Sequence, residues 1–65
     1  MRISRTQIEI QLNSKGIKKA DLAERIGTTA QYLSIILGRG TCNMKMLQRI
    51  ADALGVDPAL LSKED

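Results

Sequence analysis

The apolar residues of the chain recur at intervals of three and four positions, which is the spacing of one face of an α-helix. They fall in four stretches, each followed by a glycine: Ile8 and Leu12; Leu22, Ala23 and Ile26; Leu33, Ile36 and Leu37; and Leu47, Ile50, Ala51 and Leu54. These glycines stand where a left-handed residue ends a helix, and they are Gly16, Gly27, Gly38 and Gly55. The pattern predicts helices over about residues 5–14, 18–26, 29–37 and 43–54.

Polar residues that can cap a helix precede these stretches. The first helix can begin with either of two capping boxes, Ser4 with Gln7 or Thr6 with Glu9. The later candidate caps are Thr28 or Thr29, Asn43, and Asp57 followed by Pro58. The last of these predicts a short fifth helix over about residues 58–62, which closes the core.

The length of the chain, 65 residues, leaves room for one domain. Isolated helices need roughly 12 to 15 residues to be stable in water, so these short helices must pack together. Alternation typical of a strand is confined to Ile8, Ile10 and Leu12, and it also fits a helix. Because Tyr32 is the single aromatic residue, the core must be aliphatic. The sequence therefore predicts an all-α fold, a compact five-helix bundle that residues 1–65 form as one domain.

Composition excludes several kinds of chemistry. The chain has no histidine and one cysteine, Cys42, which excludes the usual zinc sites, an intrachain disulfide and histidine-dependent triads. No nucleophile is paired with a base, so we expect no enzyme activity, no cofactor and no small-molecule substrate. Cys42 is interpreted as a bystander, with a redox-sensing thiol as the alternative. No apolar run approaches the roughly 18 residues of a membrane span, so we expect a cytoplasmic protein.

The net charge of +3 is unevenly distributed along the chain. Residues 1–40 carry seven basic and three acidic side chains, whereas residues 41–65 carry three basic and four acidic ones. This asymmetry favours a polyanionic partner for the first two thirds of the chain, and an ordinary solvated surface is the alternative interpretation.

The segment from Lys19 to Ile36 has the spacing of two short helices that cross steeply. Ala23 supplies a small side chain where the two backbones approach, and Gly27 tolerates the positive φ of a tight turn. The outward face of the second helix is then free, and a helix about 10 to 12 Å across fits a DNA major groove about 12 Å wide. The segment is therefore interpreted as a helix-turn-helix.

Four runs of residues, 12–17 (LNSKGI), 21–27 (DLAERIG), 32–37 (YLSIIL) and 47–56 (LQRIADALGV), resemble the Cro and phage-repressor-like helix-turn-helix regulators, the XRE family. The resemblance covers about residues 8–61. It implies a lambda-repressor-like domain whose second and third helices form the helix-turn-helix, with the helix from about Ala30 to Leu37 in the major groove.

The resemblance also implies which side chains contact base edges. The candidates are Gln31, Thr29, Ala30, Ser34 and Ile35. The amide of Gln31 can pair with adenine through two hydrogen bonds, whereas Ala30, where many relatives carry a glutamine, offers a methyl group. Capping alone is the alternative for Thr29, and a protein interface or plain exposure is the alternative for Ile35.

Candidate phosphate contacts are Lys18, Lys19, Tyr32 and Arg39. Lys19 stands where the family often carries a glutamine that binds phosphate, and a packing role is the alternative for Tyr32. With about three such contacts a monomer binds weakly, so we expect a homodimer on a palindromic site of double-stranded DNA. Either Met44 or Met46 is expected to join Ala53 and Leu60 in a dimer patch.

The function predicted from these residues is sequence-specific transcriptional regulation, more in keeping with repression by occlusion of polymerase than with activation. The alternative is a protein-interaction module, such as an antitoxin-like partner or the N-terminal domain of a larger regulator.

Overall fold

Five α-helices account for most of residues 1–63, the part of the chain that the computed structural model describes. They are α1 (Arg5–Lys15), α2 (Lys19–Ile26), α3 (Ala30–Arg39), α4 (Met44–Leu54) and α5 (Pro58–Leu61). The predicted all-α class and five-helix architecture are confirmed. Helix α2 packs against both α3 and α4, and α5 packs against α4 and α1. None of the helices within residues 1–63 has the length and apolar character needed to cross a membrane.

All the helices except α2 begin at a side chain that accepts a hydrogen bond from a free backbone amide. Of the two candidate caps of α1, Ser4 is the one used: its hydroxyl accepts from the Gln7 amide at 3.2 Å, while the Ser4 amide donates to the Leu61 carbonyl and not to the Gln7 side chain. The Asn43 side chain accepts from the Met46 amide at 2.7 Å, and the Asp57 carboxylate accepts from the Ala59 amide at 2.9 Å. These bonds satisfy amides that the helix itself leaves unpaired.

The third helix ends later than the sequence predicts. Gly38, the expected end, lies inside α3, and Gly40 takes the left-handed conformation, with φ 72°. The Gly40 amide donates to the Ile36 carbonyl at 2.9 Å, and the Gly40 carbonyl accepts from the Ile3 amide at the same distance. The donor of this second bond lies at the distant start of the chain. Local sequence therefore did not show which of the two glycines ends the helix.

The core is a single aliphatic cluster. Every apolar residue of the four predicted stretches is buried in it, and so is Leu61 of α5. Val56 and Met46 are partly buried against the cluster, whereas Leu60 points away from it and is 43% exposed. Among residues 1–63, no polar or charged side chain is buried, so burial of aliphatic surface stabilises the fold.

Residues 1–4, the N-terminal segment, form an extended stretch between two other parts of the chain. Ile3 is 2% exposed and belongs to the core, which the sequence did not predict. The amide of Ile3 donates to Gly40, and the amide of Ser4 donates to the Leu61 carbonyl at 2.7 Å. The Met1 carbonyl in turn accepts from the Cys42 amide at 3.0 Å. The segment thus joins the loop after α3 to the residues after α5.

Candidate nucleic-acid interface

The turn between α2 and α3 sets the position of α3. Gly27 adopts φ 80°, and its amide donates to the Ala23 and Glu24 carbonyls. The next amide, that of Thr28, also donates to the Ala23 carbonyl, at 2.9 Å. A Cβ at Gly27 would meet no other atom within 4 Å, so the turn requires glycine for its backbone conformation and not for space. Ala23 is 1% exposed, as expected where the two helices approach.

Thr29 caps α3, because its hydroxyl oxygen accepts from the Tyr32 amide at 3.1 Å. Thr28 is partly buried and does not serve as the cap. The hydroxyl hydrogen of Thr29 remains available to a phosphate or a base, so capping does not remove the side chain from the candidate surface.

The outward face of α3 is uncovered. Leu33, Ile36 and Leu37 are buried on the inner face. The five candidate base-contacting residues, Gln31, Thr29, Ala30, Ser34 and Ile35, are all exposed. Gln31 and Ile35 are four positions apart and therefore lie on the same face of the helix, with Ser34 beside them. The exposed face presents an amide, a hydroxyl and an aliphatic side chain, which are groups that read base edges.

Three of the candidate phosphate contacts lie at the two ends of the helix-turn-helix, and the fourth, Tyr32, lies beside its turn. Lys18 is exposed immediately before α2, where its side chain makes no capping bond. Arg39 is exposed in the last turn of α3. Tyr32 is exposed in the first turn and borders a shallow cleft that Arg39 and Met46 also line, so its ring is partly packed and partly accessible.

Lys19 is bound to an acidic residue of α1. Its Nζ lies 3.5 Å from Glu9 Oε1, and the same oxygen lies 3.3 Å from Arg5 Nε. The hydrogen bond from Arg5 lowers the pKa of the Glu9 carboxyl below its ordinary value, and the charges of Arg5 and Lys19 act in the same direction. Neither contact was predicted from the sequence: the four-residue spacing of Arg5 and Glu9 is a signal for the first, whereas spacing along the chain carries none for the contact with α2.

Two further observations concern the thiol and the metal-binding side chains of the described residues. Burial raises the pKa of the Cys42 thiol, which disfavours the reactive thiolate and favours the bystander interpretation. In residues 1–63 no group of three or more His, Cys, Asp or Glu side chains is placed to hold a metal ion.

Helices α4 and α5 each carry an exposed apolar side chain. Met44 is 49% exposed and Leu60 is exposed to a similar extent, whereas Met46 packs against the core. Met44 is therefore the methionine available to a dimer patch, and Ala53 is only partly exposed. Met1, which is also exposed, lies beside Met44 and Pro58 in a shallow groove.

The chain was compared with known protein families, curated proteins and solved structures. A family model described as helix-turn-helix matches residues 8–61, which is most of the chain. No curated protein and no solved structure matches the chain. The matched range includes all of α2 and α3 and the turn between them, and it begins after the N-terminal segment.

Proposed function

Since the chain belongs to the Cro and phage-repressor-like helix-turn-helix family, the XRE family of DNA-binding regulators, we propose that it is a sequence-specific transcriptional repressor that inserts α3 into the major groove. The observation that carries this proposal is the uncovered outer face of α3, which bears Gln31. The aliphatic inner face holds the helix in place, while the outer face has no partner within residues 1–63. A helix about 10 to 12 Å in diameter fits the major groove.

Base recognition is assigned to the first two turns of α3. Gln31 pairs with adenine through its amide, a contact worth about 1 to 3 kcal/mol of discrimination against another base. Ala30 and Ile35 offer aliphatic groups to thymine methyls, and Ser34 can donate to or accept from a base. Thr29 contacts the adjacent phosphate or thymine while it caps the helix.

Phosphate contacts are assigned to Lys18, Lys19, Tyr32 and Arg39. These residues lie just before α2, at its start, and in the first and last turns of α3. Each neutralised phosphate steepens the plot of the logarithm of affinity against the logarithm of salt concentration by about 0.9. Three cationic contacts therefore make binding strongly dependent on salt.

We further propose a homodimer on a palindromic operator, and the size of the molecule supports it. The Cα atoms extend over 29 Å along the longest axis. Half-sites on one face of DNA are about 34 Å apart, so one copy reaches a single half-site. Met44 and Leu60 are the exposed apolar residues proposed to meet across the two-fold axis. A dimer bound at a promoter in the cytoplasm represses by excluding polymerase.

The test is selection of bound duplexes from a random DNA pool, which identifies the operator directly from the duplexes retained. We expect a two-fold symmetric consensus with half-sites about one helical turn apart. Gln31→Ala should relax the preference at one position of each half-site, while Gln48→Ala, an exposed glutamine of α4, serves as the matched control. A pool without enrichment, bound equally at low and high salt, would refute the proposal.

A protein-interaction module is the second candidate, because α3 and α4 each expose a large apolar side chain, Ile35 and Met44. The two functions respond to different variants. If Lys19→Glu and Gln31→Ala leave biological activity intact while Ile35→Asp and Met44→Asp abolish it, the second candidate is correct. Met46 is unsuitable for this test because it packs against the core.

A further inference from the structure

The Glu9 carboxylate joins two helices through one oxygen atom. Glu9 Oε1 lies 3.3 Å from Arg5 Nε, one turn earlier in α1, and 3.5 Å from Lys19 Nζ at the start of α2. Arg5 and Lys19 therefore share one carboxylate oxygen. Glu9 and Lys19 border a cleft that Asn13 and Lys18 also line, beside the helix-turn-helix.

We propose that Glu9 is a positioning residue that binds the Lys19 ammonium in the free protein and competes with DNA phosphate for it. The inference rests on the proposed function, because it concerns how freely Lys19, one of the proposed phosphate contacts, can bind DNA. Within residues 1–63, Lys19 is the one cation among those contacts that the structure places in an ion pair.

The strength of the pair suits exchange with a phosphate. Both side chains are 40% exposed, so water weakens the attraction and the pair can open. Exposed ion pairs of this kind shift an equilibrium by about two- to fivefold. DNA must overcome that factor before Lys19 neutralises a phosphate, and the released carboxylate then attracts a cation from solution. That uptake offsets part of the counterion release that drives binding.

The Glu9–Lys19 ion pair should change the affinity of the protein for DNA and not its preference among base sequences. Phosphate contacts position a protein on DNA, whereas base contacts distinguish sequences. Glu9 should therefore weaken binding to every duplex by the same factor and leave the relative preference among sequences unchanged. Its effect would reduce the occupancy of cognate and non-cognate DNA alike.

The experiment measures binding of Glu9→Gln to a random-sequence duplex by fluorescence anisotropy over a series of NaCl concentrations. We expect the variant to bind about two- to fivefold more tightly at low salt, with a salt slope steeper by up to about 0.9. Glu24→Gln removes the same charge from an exposed glutamate of α2 and serves as the matched control, with a smaller gain. Thermal unfolding of both variants checks that the fold is retained.

A double-mutant cycle with Lys19→Gln separates exchange from general charge repulsion. Loss of the Glu9→Gln gain in the Lys19→Gln background supports the inference. An equal gain from Glu24→Gln, or a gain that persists without Lys19, overturns it and leaves the proposed function standing. Failure of the wild-type protein to bind any duplex at low salt overturns the proposed function and this inference together.

Discussion

Replacing Ile3 by alanine tests whether the N-terminal segment belongs to the folded unit. Ile3 is 2% exposed, and the substitution removes three carbons, each worth about 0.8 kcal/mol when buried. The residual cavity adds to that loss, so we expect the free energy of unfolding to fall by about 2 to 4 kcal/mol. A chain of 65 residues is stable by only about 3 to 10 kcal/mol, so the loss is a large share of the total.

The matched control is Ile10→Ala, because Ile10 is 48% exposed on α1 and loses the same atoms. We expect the control to change stability by less than about 1 kcal/mol. Urea unfolding followed by circular dichroism measures both variants, and a thermal scan should show Ile3→Ala melting about 10 to 30 °C below the wild type. Equal shifts for the two variants would show that the N-terminal segment does not bury Ile3 in solution.

Further predictions concern two glycines, one carboxylate and the thiol. Gly38→Ala should raise the free energy of unfolding by about 0.5 to 1 kcal/mol, because the position is helical and an added methyl group would meet no other atom. Gly40→Ala should lower it by about 1 to 2 kcal/mol, because Gly40 has a left-handed backbone conformation. Opposite signs of the two changes in urea unfolding confirm where α3 ends. Because folding lowers the pKa of Glu9, chiefly through the hydrogen bond from Arg5, its contribution to stability is present above the ordinary value of 4.5 and is lost as the pH falls through the folded-state pKa. The stability difference between wild type and Glu9→Gln should therefore shrink on acidification, and a difference that stays constant down to acidic pH contradicts this. Since burial raises the pKa of Cys42, iodoacetamide should alkylate it more slowly at neutral pH than it alkylates a free cysteine; faster alkylation would revive the redox interpretation.

Periodicity predicted the first four helices and their inner faces, whereas the cap at Asp57 and Pro58 predicted the fifth. In α4, Leu47, Ile50, Ala51 and Leu54 follow helical spacing and are all buried. The inner face of α3 was defined by the same rule, and the exposed position of Gln31 follows from it. These features depend on residues within a few turns of each other, which is the range over which sequence patterns carry information.

The features that sequence could not predict depend on contacts between distant residues. Ile3 stands outside any periodic stretch, and backbone hydrogen bonds to Gly40 and Leu61 hold its segment in place. The choice between Gly38 and Gly40 as the end of α3 also involves that segment. The contact of Glu9 with α2 requires the packing of two helices, which spacing along either helix does not specify.

The pairing of the N-terminal segment has a consequence for local opening of the structure. The amides of Ile3 and Cys42 donate backbone hydrogen bonds on one side of the segment. The amides of Ser4 and Lys63 donate backbone hydrogen bonds on the other side. Detaching these first residues breaks both sets of bonds at once and exposes the aliphatic side chain of residue 3. In hydrogen–deuterium exchange, these four amides should therefore lose protection together, as one cooperative unit. The C-terminal end of α3, where Arg39 lies, should belong to that unit.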